Sequence, residues 1–153
     1  IEIIGAASGG ENWMKPLNKL RTGGQLTSVE HISFQRIKSL ADLDTAVGRV
    51  NQTGKPAMLD FYADWCVECV RMERNTFGEP EIQALFRDIQ PLQADVTLND
   101  ETDQALMEKY DVIGPPAILF FDRQGNEMRG YRLVGYFEAE EFAEHLHKVL
   151  EVQ

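Results

Sequence analysis

Apolar residues along this chain switch between a period of two and a period near 3.6, and the switches outline its elements. Ile32 and Phe34 alternate with polar neighbours, as in a half-buried strand. Ser39, with Asp42 three residues on, has the form of a capping box, and Leu40, Leu43, Val47 and Val50 follow at helical spacing up to the Gly54-Lys55-Pro56 turn. Residues 57–63 are apolar except for Asp60 and tyrosine, the composition of a central strand covered on both faces. Two cysteines come next, then a helix through about Asn75 and a second helical stretch that opens on Pro80 and carries Ile82, Leu85, Phe86 and Ile89. Leu92, Ala94 and Val96 alternate as a strand, and Asn99 or Asp100 caps a helix with Ala105, Leu106 and Tyr110. Gly114-Pro115-Pro116 stops that helix before the buried strand 117–121, a turn at 122–126 and a returning hairpin strand from Arg129 to Val134. A final helix from about Glu138 to Leu150 buries Phe142, Leu146, Val149 and Leu150. The order β-α-β-α-β-α-β-β-α, without internal repeats, predicts an α/β fold with a mixed central sheet flanked by helices.

Residues 1 to about 30 hold neither period for long and contain Gly5, Gly9, Gly10, Gly23 and Gly24, so they read as a linker or tail ahead of one domain at 31–153. Trp13 and Leu17 are its candidate anchors to the domain. The start at Ile1 rather than Met reads as a fragment or processed product. No apolar run reaches the roughly 18 residues of a membrane span, and no signal peptide is recognisable. With 25 acidic against 15 basic residues and a net charge of -10, nucleic acid is excluded as a partner, because phosphate binding needs clustered cations.

Only two cysteines are present, so no disulfide framework holds the fold, and a pair three residues apart calls for a chemical explanation. Trp65-Cys66-Val67-Glu68-Cys69 lies where a buried strand gives way to a helix. Residues three apart on a helix have Cβ atoms about 5–6 Å from each other, close enough for a reversible disulfide. Unpaired N–H groups at the helix start favour a thiolate on Cys66, which makes Cys66 the nucleophile and Cys69 the resolving thiol. Asp60 leads into the site, and Glu73 follows Cys69 by four residues on the same helical face. Both acids disfavour a thiolate, and a carboxyl in an apolar layer has a raised pKa suited to proton exchange with the resolving thiol. The expected result is a pair that leans towards giving electrons.

Each residue also has a plainer reading. A lone Cys-x-x-Cys is half of a zinc site, but about four ligands are needed, no second pair exists, and His145 and His147 do not face together. A cysteine hydrolase would need a histidine base, and His31 and the last helix supply none near Cys66. The plainer alternatives are Asp60 as a satisfied core acid, Glu73 as a solvated helix acid and Glu68 as an exposed charge. Gly114-Pro115-Pro116 either stops a helix or holds a cis bond beside the cysteines.

The run from Leu59 to Cys69, together with Gly114-Pro115-Pro116-Ala117, resembles the thioredoxin superfamily over about residues 33–150. More narrowly, Tyr62-Ala63-Asp64-Trp65-Cys66-Val67, Asn75-Thr76-Phe77, Gln93-Ala94-Asp95-Val96-Thr97 and Ile118-Leu119-Phe120-Phe121-Asp122 resemble the C-terminal domains of the DsbD family of thiol:disulfide interchange proteins. The resemblance implies a thioredoxin-like fold with an N-terminal extension, attack by Cys66, resolution by Cys69, tuning by Asp60 and Glu73, and a cis-proline at Pro116. It further implies a periplasmic domain of an inner-membrane protein in a Gram-negative bacterium, which takes electrons from a membrane-embedded domain and passes them to an N-terminal immunoglobulin-like domain of the same protein. Cytoplasmic thioredoxin and NADPH lie upstream, and residues 1 to about 30 would be the tether. Expected partner contacts are Trp65, Val67, Glu68, Pro115 and Pro116; Pro115 and Glu68 depart from the family pattern. No bound cofactor or metal is expected beyond the redox-active disulfide, and the isolated domain is expected to be a monomer. The alternatives are a periplasmic thioredoxin-like reductant for cytochrome c maturation and a non-catalytic binding or metal module on the same fold.

Overall fold

The computed structural model describes residues 33–153, so the expectations for the tail, including Trp13, Leu17 and Ile32, lie outside the described residues. Five strands form one sheet in the order β1-β3-β2-β4-β5: β1 (Gln35–Ile37), β2 (Ala57–Tyr62), β3 (Gln90–Asp95), β4 (Ala117–Phe121) and β5 (Leu133–Val134). β3 runs parallel to β1 and β2, while β4 runs antiparallel to β2 and β5, which makes the sheet mixed as expected. The helices are α1 (Leu40–Gly48), α2 (Val50–Thr53), α3 (Val67–Arg71), α4 (Pro80–Leu85), α5 (Glu101–Lys109) and α6 (Ala139–Glu151). No helix among the described residues is long and apolar enough to cross a membrane.

Two apolar clusters cover the sheet. Leu59, Phe61, Leu92 and Ala94 pack with Leu43, Ala46 and Leu106 on one side, and Met58, Ile118 and Phe120 pack with Met72, Ile82 and Phe142 on the other. Local chemistry sets the helix starts. Ser39 Oγ accepts from the Asp42 amide at 3.1 Å while the Asp42 carboxylate accepts from the Ser39 amide at 3.0 Å, a reciprocal box that Asp100 and Asp103 repeat at the head of α5. Lys38 Nζ reaches the buried Asp103 carboxylate at 2.6 Å and joins the two caps.

Several elements differ from the sequence pattern. The first strand starts at Gln35, because Phe34 turns into an aromatic cluster with Phe77 and Phe86, at ring distances of 5.5 and 6.4 Å. The first helix divides at Arg49, so Leu43, Ala46 and Val50 are buried whereas Leu40 and Val47 are only partly so. α4 ends at Leu85, and Ile89 is buried in the connection that follows. On α5 it is Leu106 and Met107 that face the core, and Ala105 is exposed. The returning strand is confined to Leu133–Val134, since Arg129–Tyr131 form a 3₁₀ turn and Arg132 folds back to form an ion pair with Glu127. At the sheet edge only one neighbour, β4, is present to hold an extended segment in place.

Candidate active site at the Cys66–Cys69 pair

The site grows out of the end of β2. Residues 57–61 are buried, the chain leaves the sheet through Ala63, and Cys66 takes an extended conformation as the N-cap of α3. Its Sγ accepts from the Cys69 amide at 3.2 Å, so the first orphan donors of the helix face the sulfur. The two cysteines are joined in a disulfide with Cα atoms 5.2 Å apart. Cys66 retains 7% of its surface and Cys69 3%, which leaves Cys66 the more accessible sulfur for an incoming partner. Cys69 Sγ lies 3.9 Å from the Phe61 carbonyl, one residue along β2 from Asp60.

The approach to this helix is pinned from the turn after β3. Thr97 Oγ1 accepts from the Asp64 amide at 2.9 Å, and the Thr97 carbonyl accepts from the Trp65 indole at 3.0 Å. The Thr97 hydroxyl in turn donates to Asp95, whose other oxygen accepts from Arg36 at 3.0 Å. Although burial pulls the Asp95 carboxyl upward, its bonds from Thr97 and Arg36 hold it below the ordinary range. Trp65 and Val67 stay exposed on either side of Cys66. Glu68 is not a free charge: Arg71 bonds it at 2.9 Å and places its guanidinium 4.1 Å over the Tyr136 ring.

Beyond Arg71 the helix widens to a π turn over Met72–Thr76, closed by the Phe77 amide on the Met72 carbonyl at 2.9 Å. Glu73 in that turn is half-buried and accepts from Gln93 Nε2 at 3.3 Å. The same nitrogen donates to Asp60 Oδ2 at 3.0 Å. Asp60 retains 5% of its surface and its pKa is pushed up to about 7, mainly by burial, with the Gln93 bond opposing and the Glu73 charge adding. The same burial, with Glu73 nearby, pushes the Tyr62 phenol up to about 12.

The Pro115–Pro116 bond is cis. Because Phe61 stands opposite Ala117 in the β2–β4 register, Pro116 lies at the same end of the sheet as the cysteines. The structure thus joins Cys66 to Cys69 and Asp60 to Glu73, flanks the disulfide with Trp65 and Val67, and pairs Glu68 with Arg71. Sequence reading gave no role to Gln93, Thr97, Arg71 or Tyr136. Gln93 is one of three polar residues on β3, so sequence alone does not single it out, and its meaning depends on the Asp60–Gln93 register.

A helix-capping cysteine bonded to a cysteine in the first turn of that helix, on a mixed sheet with a cis-proline at the same end, defines a thiol–disulfide exchange domain of the thioredoxin class. The family model for a thioredoxin-like domain matches residues 43–150. The chain is 41% identical to the thiol:disulfide interchange protein DsbD of Ralstonia nicotianae over 152 residues, 98% of this chain and 25% of that protein. It is 47% identical to the DsbD of Cronobacter sakazakii over 123 residues, 80% of this chain and 21% of that one. The crystal structure of the oxidised DsbD C-terminal domain of Neisseria meningitidis superposes with a TM-score of 0.64 at 30% identity, covering 76% of this chain and 99% of that one. The chain belongs to the thioredoxin-like family, in its group of DsbD C-terminal domains. It spans a quarter or less of the curated relatives named here. The Cys66–Cys69 disulfide can accept two electrons to become a dithiol, and that dithiol can give them up again.

Proposed function

We propose that this chain is the relay domain of a larger bacterial membrane protein, reduced by a membrane-embedded domain of that protein and oxidised by its N-terminal immunoglobulin-like domain in the periplasm. Residues 1 to about 30 serve as the tether. The observation that carries the reading is the Asp60–Gln93–Glu73 group, whose Asp60 sits on the strand that leads into the Cys66–Cys69 disulfide, in a chain whose similarity extends over a whole DsbD C-terminal domain. A carboxyl poised near neutrality takes a proton from the resolving thiol without stabilising the attacking thiolate, which suits a donor of electrons.

Reduced Cys66 attacks a partner disulfide as the thiolate, the partner's S–S bond breaks, and one partner sulfur leaves with the electron pair. Cys69 then gives its proton to Asp60 and attacks Cys66, releasing the second partner sulfur. The pair ends oxidised by two electrons, the partner reduced by two, and solvent balances the protons. Trp65, Val67, Glu68, Pro115 and Pro116 form the surface against which the partner lies. Replacing Cys69 with Ala tests the reading, since the first step then has no second and Cys66 should hold its partner as a mixed disulfide. Isolated from periplasm in which the variant is expressed, the adduct should contain the immunoglobulin-like domain; recovery of no adduct would sink the relay.

A further inference from the structure

One buried polar side chain has no part in the exchange steps as described so far. Gln93 retains 1% of its surface, stands in the middle of β3 in register with Asp60, and donates from Nε2 to both Asp60 and Glu73. A primary amide offers two donors at one end and two acceptor lone pairs at the other. Here both donors go to carboxylates, so Gln93 lets two acids share one buried space that would otherwise force a proton onto one of them. The charged groups that act on Asp60 are Glu73 from the π turn and Arg36 from β1; β4 presents Ile118 in register. Arg36 is occupied by Asp95. Among the described residues Gln93 is the hydrogen-bond donor to the Asp60 side chain.

We propose that Gln93 is a positioning residue of the exchange reaction: its amide holds the Asp60 carboxylate ready for the resolving thiol's proton, and keeps donating to the oxygen left unprotonated while it still holds Glu73. The step is balanced within the site. Cys69 loses its proton to Asp60, the sulfur electron pair forms the bond to Cys66, and the Cys66–partner bond breaks with its pair on the departing sulfur. The amide gains and loses nothing, and its two N–H donors keep a carboxyl oxygen each as the carboxylate becomes an acid. The proposal rests on the exchange reading of Cys66 and Cys69 and on Asp60 as the proton acceptor.

The test uses oxidised glutathione as the partner disulfide and follows the lifetime of its mixed disulfide with Cys66 at pH 7. Gln93→Met should lengthen that lifetime about tenfold. Asp60→Asn should lengthen it comparably, and the double variant should add nothing further, because the two residues act as one unit. The side-chain NH₂ resonances of Gln93 should move with pH through the same midpoint as the Asp60 carboxyl carbon. Gln93→Asn, which keeps the amide but reaches at most one carboxylate, should shift the lifetime in the same direction and serves if the Met variant fails to fold. A lengthened lifetime in Asp60→Asn with none in a folded Gln93 variant overturns the proposal, as does a Gln93 effect that adds in full to that of Asp60→Asn. No effect of Asp60→Asn overturns the proton-acceptor reading beneath it.

Discussion

Replacing Asp60 with Asn removes a carboxyl that the fold holds at a cost, so the variant is expected to be the more stable protein at neutral and alkaline pH. The ordinary value is 3.8 and the folded value about 7. Below both, the group is protonated in the folded and unfolded chains alike and contributes no pH dependence. Between them only the folded chain keeps the proton, so wild-type stability falls as pH rises through this window. Above the folded value both states are ionised and the penalty is constant. Integrating the difference gives less than about 1 kcal/mol at pH 4, about 2 kcal/mol at pH 5.5 and about 4 kcal/mol at pH 8. Asn retains a side-chain oxygen for Gln93 Nε2, so the substitution takes away the charge and spares the bond. Urea denaturation of both oxidised proteins from pH 4 to 9 measures the difference directly. A stability gap that stays constant across this range, or one in which the wild type gains on the variant as pH rises, would refute the assignment of Asp60 as a desolvated acid.

Glu73→Gln removes the neighbouring charge that adds to the upward push on Asp60, so the Asp60 carboxyl carbon should titrate below its wild-type midpoint near 7 in an NMR pH series. A midpoint that stays put would show that burial alone sets it. Thr76 is fully buried and donates from its hydroxyl to the Phe137 carbonyl at 2.6 Å, tying the π turn to the approach of α6. The near-isosteric Thr76→Val should leave that carbonyl unsatisfied and cost about 1–3 kcal/mol in chemical denaturation; a loss below about 0.5 kcal/mol would mean that another donor replaces the hydroxyl.

The parts of the site legible in the sequence are those encoded over a few residues. Cys66 and Cys69 declare a helix-start disulfide by spacing, Ser39 with Asp42 declares a cap, and Asp60 is conspicuous as an acid in an apolar run. Gln93 was not legible because its role exists only through pairing with a strand more than thirty residues earlier. Thr97 escaped for the same reason, since its contacts to Asp64 and Trp65 join the turn after β3 to the segment after β2. The hairpin strand was overextended because alternation in sequence does not reveal that a segment lies at a sheet edge, where a side-chain pair such as Arg132–Glu127 competes with pairing. Phe34 alternates like a strand residue, yet it is claimed by an aromatic cluster assembled from distant segments.

The π turn over Met72–Thr76 has a consequence for how this domain can vary in length. A turn closed by a five-residue step contains one residue more than an α turn needs. The helix therefore carries spare chain, and loss of one residue there would tighten the turn while leaving its start at the cysteines and its exit towards Phe77 nearly where they are. The fold would absorb such a deletion. The carboxylate of Glu73 would be swung by as much as about 100° around the axis, away from the Gln93 amide. Length in this segment is thus free as far as architecture is concerned and fixed as far as the Gln93–Glu73 bond is, so a shortened relative would be expected to fold normally and to have lost the second acid on that amide.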